Sequence, residues 1–416
     1  MLTRRRLTGL VVFVFACLSW TGSVRAVPTA VTYWNDVALQ AVTAGRTAPA
    51  GLLDQALVAA AVHDAVQAIE GRYEPYYFVS PGEEGSPIAA VAAAAYGVLA
   101  GLYPSQLPGP TGLTQKYNDF VTANNLAGDP GLGVGADAAA ALLTQYRPAP
   151  NPPLPPYQGG TDPGEWRPTF PAFATGAFEF AAYTTPFTLL RPSQFRPQGP
   201  PPLKSEQYRR DYDEVKALGS ATGSTRTPEQ TDMAHFWSEN FTAQWPRAIR
   251  AIVEAHVPDV GDSARLFALS ALSAADAFIS CWESKYHFNF WRPITAIREG
   301  ENDGNPRTAG SPTWSSLLAT PPYPDYTSGA NNLTGAYTKT LELFFDTDNF
   351  DFVVTSTAAL AQQKVREFHR FSDAAAEVVE ARILLGIHFR FADDEARAQG
   401  RHVAHWVFQK FLRPVR

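Results

Sequence analysis

The chain has 416 residues, 45% hydrophobic and 18% charged, with a formal net charge of −6. That mild acidity leaves no electrostatic footprint for nucleic acid, and the length suits one large or two closely packed domains. Of two cysteines, Cys17 lies in the leader and Cys281 stands alone after it, so an intrachain disulfide is excluded and burial must supply the stability.

Three arginines, an apolar run from Leu10 to Trp20 and the triplet Val24-Arg25-Ala26 fit a secretory signal over 1–26. The run is too short for a membrane span of about 20 residues. Thr3-Arg4-Arg5-Arg6-Leu7 also resembles a twin-arginine signal, so Sec and twin-arginine export both stay open. The mature chain is expected to begin near Val27 and to work in the periplasm or outside the cell. No later segment reaches spanning length without charges, so no stable membrane span is expected.

Helical periodicity dominates from there. It predicts helices over 32–44, 50–70, 87–102, 111–125, 132–146, 204–218, 227–245, 246–255, 261–299, 328–345, 352–368, 372–387 and 394–412, and no convincing strands. The fold is expected to be mostly α. Residues 27–203 form an N-terminal helical part and 204–416 a C-terminal one. Between 147 and 202 prolines and aromatics alternate, as in "PAPNPPLPPYQGG" and "FPAFATGAFEFAAYTTPF". The aromatics favour an ordered excursion over the helices rather than a disordered linker.

Three stretches could carry chemistry. In "SKYHFNFWRPITAIR", Lys285 and Arg292 are seven residues apart, on one face if the helix is continuous, with a kink expected at Pro293. Such cations need an anionic partner if buried, or they snorkel to the surface. In "PPYPDYTSGANNLTGAYTKT", Ser328 and Gly329 open a helix whose first N–H groups suit an anion, although many ordinary helices begin the same way. In "ARILLGIHFRFADD", Arg382 and His388 are six apart and face one site only if the helix ends between them, with Gly386 the candidate place. His402 and His405 have pair spacing but no third ligand. His63, Asp64, Asp232 and His235 read as packing residues.

The order Lys285…Arg292-Pro293, Ser328-Gly329, Arg382…His388 resembles the three-part motif of the type 2 phosphatidic acid phosphatase and vanadium haloperoxidase superfamily. "TYWNDVALQAV", "VHDAVQAIEGRYEPY" and "GIHFRF" are similar to its bacterial haloperoxidase branch over nearly the whole mature chain. The resemblance implies an α-helical bundle of the haloperoxidase and acid phosphatase type, binding vanadate or phosphate. Lys285, Arg292 and Arg382 would balance the anion's charge, and Ser328 and Gly329 would donate hydrogen bonds. His388 would be the axial ligand of vanadate, or the nucleophile of a phosphatase. The implied partners are hydrogen peroxide, a halide and a small organic acceptor, or else a phosphate ester. A homodimer is a further expectation.

The chain departs from that pattern at three places. The second motif of the family ends in histidine where this chain has Ala330, and that histidine handles protons. Ala381 replaces a usual serine, and Ala392 stands where an aspartate often lies, with Asp393 one place later. Three readings follow: a haloperoxidase-like enzyme of altered or weak activity; a phosphoesterase or diphosphatase, an isoprenoid-type diphosphate among its candidate substrates; or a non-catalytic oxyanion-binding homologue. His287 and His369 are the remaining candidates for the lost proton carrier.

Overall fold

The computed structural model describes residues 29–145 and 154–415. The 1–26 leader lies outside them, as do positions 147–153 of the proline-rich excursion. Among the described residues, thirteen α-helices and one two-stranded sheet form the regular structure, so the mostly α expectation holds.

The N-terminal part supplies α1 (Ala30–Gly45), α2 (Gly51–Glu70), α3 (Pro87–Leu102), α4 (Leu113–Ala123) and α5 (Gly131–Leu143). Then come α6 (Glu206–Leu218), α7 (Pro228–Phe236), α8 (Phe241–His256), α9 (Val260–Phe288) and α10 (Pro293–Arg298). The chain closes with α11 (Gly329–Phe345), β1 (Asn349–Thr355), β2 (Val365–Arg370), α12 (Phe371–Leu384) and α13 (Arg390–Lys410). Side-chain caps start many of these helices. Thr227 and Gln230 form a complete capping box at α7, with Pro228 at the first position.

Helix α9 is the axis of the bundle, packed against α2 on one side and α11 and α13 on the other. Leu53 of α2, Leu269 of α9, Leu333 of α11 and Val403 of α13 belong to one buried cluster, so the two parts share a core. By length and composition α2 and α9 are each apolar enough to cross a membrane, yet 83% and 94% of those windows are buried inside the bundle. Their apolarity serves the core.

Helices α11 and α13 cross backbone against backbone. A Cβ on Gly400 would lie 1.9 Å from the carbonyl oxygen of Asn332, and one on Gly335 would lie 2.3 Å from that of Arg397. Only glycine permits the approach, and it brings the start of α13 over the start of α11.

Three expectations about the helices are corrected. Residues 352–368 are a hairpin, with Phe352 opposite Phe368 and the inward side chains Phe352 and Val354 two apart. Aromatic and β-branched residues cluster there and fit a period of two as well as a helical stripe. The continuous 261–299 helix is two helices, because Asn289 takes a left-handed conformation (φ 49°) that ends α9. Pro293 is therefore the first residue of α10, not a kink. The boundary expected at Pro246 lies instead at residues 237–240, where Asn240 caps α8. Pro246 sits inside α8 and withholds an N–H from the Thr242 carbonyl, which accepts from Gln55 Nε2 at 3.0 Å instead.

The described part of the excursion is ordered. The Asp276 carboxylate of α9 accepts the N–H groups of Phe187 and Thr188 at 2.7 Å and of Leu189 at 3.1 Å. One buried acid thus fastens the excursion to the central helix.

Candidate functional site

The expected site residues converge although their spacing argument fails in part. Lys285 comes from the last turn of α9, and Arg292 is the N-cap residue of α10 beyond the Asn289 turn. They do not share a helix face; a chain reversal brings them together. Ser328 is the N-cap residue of α11, with no side-chain cap bond, and Gly329 is the helix's first residue. Arg382 lies in the last turn of α12, and Gly386 (φ 74°) turns the chain so that His388 faces the same place. The helix does end between those two residues, as their spacing requires.

All of these side chains are buried, Lys285, Arg292 and Ser328 completely. Lys285 Nζ donates to the carbonyls of Pro324 (2.8 Å) and Asp325 (3.0 Å). Arg292 donates from Nε to the Tyr323 carbonyl and from Nη1 to the Ile387 carbonyl, both at 2.7 Å. Its Nη1 also lies 3.1 Å from Nε2 of His388. Arg382 Nη1 donates to the Trp237 carbonyl at 3.3 Å. The Tyr323 ring lies under both Lys285 and Arg292, with cation-to-centroid distances of 5.1 and 4.9 Å.

Two acids complete the cluster. Asp325 Oδ1 is 2.7 Å from His388 Nδ1 and 3.8 Å from Arg292 Nη1. Asp393, in the first turn of α13, accepts from Asn331 Nδ2 at 2.7 Å. Sequence reasoning noted Asp393 and passed over Asp325. The signal was a single acid set between Pro324 and Tyr326 in the very segment that leads to Ser328.

Burial governs the ionisation of every group. It pushes Lys285 down to about 7 and Arg382 down to about 10. It raises Asp325 to about 7, against the pull of Arg292 and Lys285. Asp393 is raised well above the usual carboxylate range by the same cause. His388 is held neutral by burial and by the cations Arg292, Lys285 and Arg382 around it.

Behind the cradle, Gln399 of α13 ties three elements together. Its Oε1 accepts from Thr327 Oγ1 (2.9 Å) and Asn332 Nδ2 (3.0 Å), while Nε2 donates to Ser280 Oγ (2.8 Å) and Ser284 Oγ (3.0 Å). In front, the excursion's Ala177 carbonyl accepts from Tyr286 Oη at 2.6 Å and Trp282 Nε1 at 3.3 Å.

Several donors are left over. Arg292 Nη2, Arg382 Nε and Ser328 Oγ are buried with no hydrogen-bond partner among the described residues. Unpaired buried donors are costly, and three of them in one cationic cluster match the oxygens of a tetrahedral oxyanion. Asp325 and Asp393 offset part of the positive charge, so the cradle suits such an anion best when at least one of them carries a proton. The residues fit vanadate or phosphate.

The other candidates lie elsewhere. His63 is buried, with Nε2 against the Glu74 carbonyl, and Asp64 beside it accepts the N–H groups of Tyr76, Tyr77 and Phe78. Asp232 accepts from Gln363 N, and His235 of α7 has no partner at Nδ1 among the described residues. His287 is exposed beside Arg196, and His369 is exposed beside Asp351, so neither reaches the cradle. His402 and His405 are exposed on α13. Among the described residues no group of three His, Cys, Asp or Glu is placed to hold a metal ion.

Comparison with known proteins agrees with the helical fold. Residues 265–416 match the model of the VCPO second helical-bundle domain. The chain is 27% identical over 292 residues to the vanadium chloroperoxidase of Curvularia inaequalis, covering 52% of this chain and 47% of that protein. It thus spans about half the length of that relative. A bacterial vanadium-dependent iodoperoxidase structure superposes with a TM-score of 0.76 at 23% identity, covering 92% of this chain and 97% of the other. The apo form of a bacterial vanadium-dependent chloroperoxidase gives 0.69 at 19% identity, covering 86% and 92%. At these identities the superpositions speak for the fold.

Proposed function

We propose that this chain, a member of the vanadium haloperoxidase and type 2 phosphatidic acid phosphatase superfamily, is a haloperoxidase-like enzyme that holds vanadate in the Lys285, Arg292, Ser328, Gly329, Arg382 and His388 cradle. The observation that carries the proposal is the set of three buried, unpaired donors, Arg292 Nη2, Arg382 Nε and Ser328 Oγ, gathered beside His388. Its substrates would be hydrogen peroxide, a halide and a small organic acceptor, and its place of work outside the cytoplasm.

Bound vanadate would supply the activation of peroxide for halide oxidation. The chain's own residues do the rest. Lys285, Arg292 and Arg382 balance the anion's charge in a site closed to water, where each charge acts strongly. Ser328 Oγ and the Gly329 N–H, at the positive end of α11, donate to its oxygens. His388 would hold the vanadate through Nε2, with Nδ1 2.7 Å from Asp325 Oδ1.

The same His388–Asp325 contact favours a second reading. A neutral imidazole backed by a carboxylate is a competent nucleophile toward a phosphate ester or diphosphate, with phosphate in the cradle as substrate group. Bromination of a small organic acceptor with orthovanadate and peroxide separates the two. The native protein is expected to exceed the His388→Ala blank, and Ala330→His to raise the rate further. Vanadate binding without bromination by the native protein would overturn halide oxidation in favour of phosphate esters.

A further inference from the structure

We infer that Asp393 is the proton-carrying residue of this cradle, delivered from α13 to the turn of α11 where Ala330 has no proton to give. The inference rests on the oxyanion reading above and deepens it. Asp393 is completely buried, and its Oδ1 is fixed by Asn331, the residue next to Ala330. Its Oδ2 has no partner among the described residues, and Ser328 Oγ stands beside the carboxyl without an aligned bond to it. The placement is rigid. Ser328 N donates to the Ala392 carbonyl at 3.1 Å, and the glycine crossing of α11 and α13 locks the two helix starts together. An anion oxygen held by Ser328 would therefore come beside the Asp393 carboxyl.

The neighbours from every packed element decide the proton's position. Asp325, before α11, opposes ionisation of Asp393, as burial does; Arg382 of α12, Ser328 and Asn331 favour it. Lys285 of α9 and Arg292 before α10 are within electrostatic reach. Burial prevails, and the carboxyl keeps its proton well above the usual carboxylate range. The other groups are poor donors. His388 is neutral, and its Nε2 is wanted as a ligand. The Lys285 ammonium is turned to two backbone carbonyls. With the anion bound, the Asp393 carboxyl would give its proton to an oxygen held by Ser328 and, as the carboxylate, would take one from incoming hydrogen peroxide, which would be left as hydroperoxide.

The test is a calorimetric titration of orthovanadate into the native protein, Asp393→Asn and Asp393→Glu between pH 6 and 9, with bromination measured in parallel. Above the pKa of Asp393, native affinity should fall relative to Asp393→Asn by up to about tenfold per pH unit, the signature of one linked proton. Asp393→Asn keeps an uncharged donor and should bind at pH 6 within about threefold of native. Its turnover should fall by about 100-fold or more, because an amide transfers no proton. Ala330→His in the Asp393→Asn background should recover part of that loss. Asp393→Glu should retain the pH dependence with a displaced midpoint, which keeps the test decisive if the asparagine variant folds poorly. Parallel pH curves for the native and variant proteins, or undiminished turnover in Asp393→Asn, would overturn the role of Asp393 alone. Failure of the native protein to bind orthovanadate at any pH would overturn the cradle reading and this inference with it.

Discussion

The carboxylate of Asp325 stands 2.7 Å from Nδ1 of His388, with both side chains closed to solvent. Nη1 of Arg292 approaches both ring nitrogens, 3.1 Å from Nε2 and 3.5 Å from Nδ1. With the donor nearer Nε2 and the carboxylate nearer Nδ1, the neutral tautomer with its proton on Nδ1 and its lone pair on Nε2 is favoured. That is the form required of a vanadate ligand and of a phosphoryl acceptor alike. Asp325 comes from the segment before Ser328, so the loop that would donate to the anion also sets the histidine.

Asp325→Asn tests that orientation. An amide can turn either its oxygen or its NH₂ toward Nδ1 and so no longer selects the tautomer. Partners of this kind typically contribute 10–100-fold in affinity or activity. Orthovanadate affinity and turnover should both fall by about that factor. An unchanged affinity would show that His388 is oriented by its backbone alone.

The three cations should separate by their structural duties. Arg292 satisfies the carbonyls of Tyr323 and Ile387, so Arg292→Ala should lose stability, roughly 2–4 kcal/mol, as well as vanadate binding. Arg382 makes one bond of 3.3 Å to Trp237 and leaves Nε unpaired. Arg382→Ala should therefore lower vanadate affinity by about 10–100-fold with a smaller loss of stability. Urea unfolding beside vanadate titration gives both quantities. Native affinity in Lys285→Ala, Arg292→Ala and Arg382→Ala alike would remove the assignment of the cradle.

Much of this site was legible in the chain, for physical reasons that differ by residue. Ser328-Gly329 could be read because a small-residue turn before an apolar helical pattern is a local signal. Gly386 could be read because Arg382 and His388 cannot face one point without a break. Lys285 and Arg292 were paired for the wrong reason, since the left-handed turn at Asn289 has no strong mark in the sequence. Asp325 carried only the weak mark of a lone acid between Pro324 and Tyr326, and Gln399 carried none. Their meaning lies in contacts with His388 and with Thr327 and Ser280, 63, 72 and 119 residues away respectively, which only the folded bundle creates. The hairpin at 349–370 was lost because its buried aromatic and β-branched residues also fit a helical stripe.

Gln399 offers a test of how far the cradle depends on its support. Gln399→Leu would leave Thr327, Asn332, Ser280 and Ser284 short of a partner in a closed interior. Ser284 Oγ keeps its bond to the Ser280 carbonyl at 3.0 Å and Thr327 Oγ1 its contact with Cys281 Sγ at 3.5 Å, so the loss falls mainly on Ser280 and on Asn332, one turn into the helix that Ser328 opens. A destabilisation of about 2–4 kcal/mol is expected in urea unfolding, together with weaker vanadate binding. A stable variant with native affinity would mean that the turn at Ser328 is held by the α11–α13 crossing alone.

Asp276 controls the roof of the site in the same way. Its carboxylate takes three consecutive backbone N–H groups of the excursion, and Leu190 immediately beyond them is 83% exposed. Asp276→Ala leaves those donors buried without their acceptor, and the segment should open locally well before the bundle unfolds. Cleavage after Leu190 by a protease selective for large apolar residues should accelerate by about tenfold for each 1.4 kcal/mol of lost local stability. The excursion's Ala177 carbonyl also anchors Tyr286 and Trp282, and Trp282 packs on Tyr323 under the cations with ring centroids 5.1 Å apart. Loosening at Asp276 should therefore raise the KM for the organic acceptor more than it lowers kcat. Equal protease sensitivity in the native protein and the variant would show that the aromatic contacts, not Asp276, hold the roof in place.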